Sequence, residues 1–76
     1  MSTILSTAML ANLDLLNAGL LRAAALADMA AKAMRDGHRN LAIGAILPLE
    51  EELPMLVSLL TAILAQHRRA GQGGEP

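Results

Sequence analysis

An all-α fold, an antiparallel two-helix hairpin, is predicted by three observations on the sequence. Aliphatic helix formers dominate: 54% of the 76 residues are hydrophobic, yet Phe, Tyr and Trp are absent. Two long segments carry their apolar residues at helical rather than alternating spacing. Between them lies "RDGHRN", residues 35–40, where a glycine and small polar groups can stop one helix and start another. The chain then divides into a flexible N-terminus at 1–5, a hairpin domain at 6–70, and a disordered Gly-rich tail at 71–76. Within the domain the helices cover 6–36 and 41–69, and the turn covers 37–40.

The first helix, 6–36, places Met9, Leu13, Leu16, Leu20, Ala23, Ala27, Ala31 and Met34 on one stripe at 100° per residue. Asp14, Asn17, Arg22, Asp28, Lys32, Arg35 and Asp36 gather opposite. Asp28 with Lys32, and Lys32 with Asp36, are i,i+4 pairs of opposite sign, each worth roughly 0.2–0.5 kcal/mol on an exposed helix. Ser6 suits the N-cap, and Gly37 suits the C′ position because glycine reaches positive φ without a Cβ clash. Asn40 can cap the second helix.

The second helix, 41–69, has Ile46, Leu49, Leu53, Leu56, Val57, Leu60, Ile63 and Leu64 on its stripe. Pro48 and Pro54 fall outside it. An interior proline frees the carbonyl four residues back, here on Gly44 and Glu50, and its ring pushes that turn apart. On a wet face water satisfies those carbonyls, so the prolines are expected to curve the helix around its partner without ending it. The rival reading breaks the chain at Pro48 and starts a new helix there. Glu50, Glu51 and Glu52 would then lie in its first turn, favourably placed against the helix dipole.

A lone hairpin leaves apolar surface over. The first helix is apolar over roughly 160°, where about 100° serves one seam. Leu15, Leu26 and Ala33 sit off its main stripe beside Ala8 and Gly19, and the second helix adds Met55 and Leu59. Small residues at Ala8, Ala23, Ala27, Ala30 and Ala31 permit close helix approach. A homodimer closing into an antiparallel four-helix bundle would bury the surplus. A docking face for another protein would use the same residues.

Charge and composition narrow the function classes. Six Lys and Arg against seven Asp and Glu give a net charge of −1, which does not draw the chain to nucleic acid or anionic lipid. The longest uncharged runs, 1–13 and 53–66, fall short of the roughly 20 residues of a membrane span. There is no cysteine, hence no disulfide framework or thiolate chemistry. A basic signal region is missing from "MSTILSTAMLANL", and a cytoplasmic location is the expectation.

Chemistry-bearing residues are scattered. On a continuous helix His38 and His67 lie roughly 43 Å apart at about 1.5 Å per residue, too far to share a metal within one chain. They read as a solvated turn histidine and a helix C-terminal histidine. Three consecutive glutamates point in three directions, so Glu50, Glu51 and Glu52 do not converge on one reacting atom; an acidic rim for a basic partner suits them better. Ser2, Ser6 and Ser58 have no histidine at suggestive spacing to activate them. No catalytic, cofactor or metal residue is expected, and no cofactor.

The order of a first helix, the turn "RDGHRNLAIG" and a second Leu-rich helix resembles small bacterial helical-hairpin proteins across residues 8–70. Many of those have no assigned role; others are secretion co-chaperones or phage-encoded anti-activators. The two prolines depart from that pattern. The resemblance implies binding to another protein. The expectation is therefore a dimeric, non-enzymatic regulator or adaptor that occludes a partner protein, with Leu15, Leu26, Met55 and Leu59 as contacts and the three glutamates at the rim. Two alternatives stand beside it: a co-chaperone that sequesters a helix of another subunit, and a bundle with a metal or ligand site made at the dimer interface.

Overall fold

The computed structural model describes the backbone of residues 3–72 and the side chains of residues 3–69. The expected tail at 71–76 lies largely outside them, as does Ser2. Three helices run in order: α1 at Thr3–Arg35, α2 at Arg39–Ile46 and α3 at Leu49–Gln72. α2 and α3 form one bent arm that returns along α1, and both pack against it, giving an all-α antiparallel hairpin. The result is a rod of 56 × 16 × 16 Å.

The helix boundaries correct two expected caps. α1 begins at Thr3, so Ser6 lies inside the helix. The Thr7 hydroxyl donates to the Thr3 carbonyl at 2.8 Å, tying down the first turn. At the other end Gly37 has φ of 82°. The His38 N–H donates to the Ala33 carbonyl at 2.8 Å, and the Gly37 N–H to that of Met34 at 3.1 Å. This crossed pair is a Schellman motif, and it needs the left-handed glycine that the sequence supplies. α2 then starts from His38, whose carbonyl accepts the Ala42 N–H at 3.0 Å. Asn40 is thus a first-turn residue and not the cap, because the Schellman geometry turns the chain within a single glycine.

The second arm bends at Leu47–Pro48. Leu47 keeps helical angles, φ −50° and ψ −43°, and its N–H still reaches the Ile43 carbonyl at 3.0 Å. Pro48 has no N–H to offer Gly44, so the repeat is interrupted there. Glu50 instead donates to the Leu47 carbonyl at 3.1 Å, a tightened turn that restarts the helix. Pro54 sits inside α3 without ending it. Both prolines are exposed, as the wet-face argument requires.

The seam is not the stripe that hydrophobicity favours. On α1 the residues withdrawn from solvent include Leu5, Met9, Asn12, Leu16, Gly19, Ala23, Leu26, Ala30 and Ala33. On the second arm they include Ala42, Ala45, Leu49, Glu52, Leu56, Leu59, Ile63 and Gln66. Both series step by alternating threes and fours, the 3.5-residue repeat of helices that wind around each other. The second series crosses Pro48 without losing register, so the bend accompanies the curvature of the seam. Leu13, Leu20 and Met34, expected in the core, are 45%, 50% and 57% exposed. Leu26, Ala33, Ala8 and Gly19, expected off it, are withdrawn instead.

Candidate functional site

Small residues make the seam tight. The best-buried positions are Ala23, Ala30, Ala33, Ala42 and Ile63; Ala30, Ala33 and Ala42 cluster with Ala45 packed against them near the turn. Midway along the rod Gly19 forms a notch filled by the Leu56 side chain. Two polar links cross between the arms. Asn12 donates from Nδ2 to Gln66 Oε1 at 3.3 Å, partly buried. Arg22 Nε donates to both carboxylate oxygens of Glu52, at 3.0 and 3.2 Å. Such links hold the register of a seam whose apolar contacts alone would tolerate sliding.

The two flanks of the rod differ. On one side a groove is lined by Leu16, Leu20, Leu53, Leu56, Val57 and Leu60. It continues through the shared Leu53 toward Ala27, Ile43, Ile46 and Leu49, with Glu50 at its edge. This is the flank to which both hydrophobic stripes turn. On a wheel of 100° per residue each stripe is rotated by roughly 60° from its seam, in the same sense on both arms. In an antiparallel pair that puts both stripes on the same side of the hairpin.

The opposite flank is narrower and mixed. Gly19, Arg22, Glu52, Met55, Leu56 and Leu59 line a shallow groove around the ion pair. Leu15 and Met29, at the same helical register as Arg22, are 59% and 58% exposed, and Met55 is 66% exposed. The expected contacts are therefore dispersed. Leu15 and Met55 stand out on this flank. Leu26 and Leu59 are half-buried in the seam, although Leu59 also borders the shallow groove. The glutamates do diverge: Glu50 edges the broad groove, Glu52 holds Arg22, and Glu51 faces solvent.

The remaining polar groups have local roles. Lys32 pairs with Asp28 at 2.9 Å; the second pair expected for it, with Asp36, is absent among the described residues. The Ser58 hydroxyl donates to the Pro54 carbonyl at 3.1 Å and the Thr61 hydroxyl to that of Val57 at 3.0 Å. His38 is exposed in the turn and His67 exposed near the far end of α3. Among the described residues no three His, Cys, Asp or Glu gather as metal ligands would.

One expectation changes in part. Counting uncharged runs gives no membrane span, but α1 is long and apolar enough to cross a membrane by length and composition, in a window none of which is buried in the hairpin. A window that admits a charge or two reaches further than an unbroken run. No protein-family model matches the sequence, and no curated protein or solved structure matches it either.

Proposed function

We propose that this chain works by binding, as a small non-enzymatic module that covers a helical surface of a partner protein. The observation that carries the reading is the distribution of large aliphatic side chains. Seventeen large hydrophobic residues are exposed, whereas no side chain is fully buried, among the described residues. A fold that exposes this much of its apolar material has it available for other surfaces. The contact for the partner is the flank of Leu15, Met29 and Met55, with the Arg22–Glu52 pair at its centre. Methionine suits such a role, since its unbranched thioether adapts to irregular surfaces.

A photoreactive residue at Met55 in the source cells tests this. A discrete crosslinked protein from that position, and none from Thr61 on the outer edge of α3, is the expected result. Crosslinks only to the chain itself would end the proposal. A second reading has its own support in the broad groove at Leu16, Leu20, Leu53, Leu56, Val57 and Leu60. There the chain would act as a co-chaperone, holding an apolar helix of another subunit in that groove. It requires a monomeric hairpin and partner crosslinks from Leu53 in place of Met55. The metal-binding alternative has no ligand cluster within one chain to support it.

A further inference from the structure

We infer that the broad apolar flank is closed by a second copy of this chain, lying face to face with its turn at the opposite end. Three observations lead there. The first is area. The chain exposes 5653 Å², whereas a compact monomer of its 7.9 kDa exposes about 4,400 Å². One side of a rod 56 Å long and 16 Å wide offers roughly 900 Å², which meets the 800 Å² per partner of a stable interface. Nor does the hairpin bury enough for itself: four of its five best-buried residues are alanines. Chains of this size without disulfides ordinarily need oligomerisation or very efficient packing.

The second observation is the chemistry and length of the flank. Leu13, Leu20, Ala27, Met34, Ile46, Leu53 and Leu60 share the register next to the seam, and none is charged. The strip runs most of the length of the rod, so its natural complement is another strip of equal length. An identical face supplies that through a two-fold axis.

The third is the distribution of side-chain size, which selects the orientation. Away from the turn the strip is bulky, with Leu10, Leu13, Leu60 and Leu64; toward the turn α1 carries Ala24, Ala27 and Ala31. A two-fold axis crossing the rod at its middle lays α1 antiparallel on α1 of the other copy. Leu20, close to the Gly19 notch, then meets its own counterpart. Leu13 of each copy comes level with Ala27 of the other, setting large against small. With both turns at one end, bulky would face bulky and small would face small. The four helices form a bundle whose Met55 flanks remain outside.

Single cysteines in this cysteine-free chain test the arrangement on folded protein. Leu20→Cys is expected to form a disulfide-linked dimer on mild oxidation. Leu13→Cys and Ala27→Cys alone stay uncrosslinked but link to each other when mixed, and Met29→Cys on the opposite flank stays uncrosslinked. Sedimentation equilibrium of the unaltered chain is expected to give twice the monomer mass at low micromolar concentration. A helical monomer at that concentration overturns the inference, as does crosslinking through Met29→Cys. Self-linkage of Leu13→Cys as fast as that of Leu20→Cys would put the turns together and overturn the orientation. Flotation of the purified chain with phosphatidylcholine vesicles, with no dimer in their absence, would assign the flank to lipid instead. Crosslinks at Leu20 and at Met55 report on different flanks, so self-association and partner binding fail separately.

Discussion

Leu56 fills the space that a β-carbon on Gly19 would need, and all three of its outer carbons crowd that point. Rotating the leucine therefore does not clear room; the arms must part. Gly19→Ala gains about 1 kcal/mol of helix propensity but incurs overpacking of about 1–3 kcal/mol, so a net loss is expected. In a Leu56→Ala background the clash is gone and the same substitution should stabilise. A chemical-denaturation cycle over the four proteins checks this reversal of sign. An effect of one sign in both backgrounds would mean the arms do not meet at this notch.

Arg22 and Glu52 join the arms across the surface, with side chains 63% and 30% exposed. A pair so open to water is worth about 0.2–1 kcal/mol. Arg22→Glu should destabilise by repulsion, and adding Glu52→Arg should restore most of the loss. The coupling is expected to shrink toward zero at about 1 M salt, where screening acts within about 3 Å. Thermal melts in low and high salt measure it. A coupling unchanged by salt would show that packing of the two stems, not charge, links them.

Pro54 stands on the exposed face of α3, and its ring denies a hydrogen bond to the Glu50 carbonyl. Because α3 continues through it, Pro54→Ala should restore that bond without moving the seam. A gain of about 1–3 kcal/mol is expected, appearing as a higher denaturant midpoint at unchanged slope. If the variant loses stability, the bend at this point is required for the arms to stay in register.

Much of the architecture could be read locally. Gly37 announces the turn because only a residue without Cβ closes a Schellman motif at φ of 82°. The bend announces itself through Pro48. The exact caps are less legible: Thr3 replaces Ser6 and His38 replaces Asn40, since either end can gain or lose a turn at little energetic difference. Of the expected contact residues, Leu15 and Met55 are on one flank, but Leu26 and Leu59 belong to the seam. A wheel of fixed 100° steps drifts by about 20° per heptad against a 3.5-residue seam, which smears such assignments along a 33-residue helix. Gln66 and Asn12 would also have been passed over by any search for apolar positions.

By itself the sequence determines two helical arms, a glycine turn between them and a kink in the second, because each is a property of a few neighbouring residues and their backbone preferences. Which faces meet was decided only in three dimensions. More than one stripe on each helix is apolar enough to be buried, so hydrophobicity does not choose among them. Shape does: the arms come closest where Gly19 and the alanines leave room, and that close approach turns the bulkier leucines outward to one shared side.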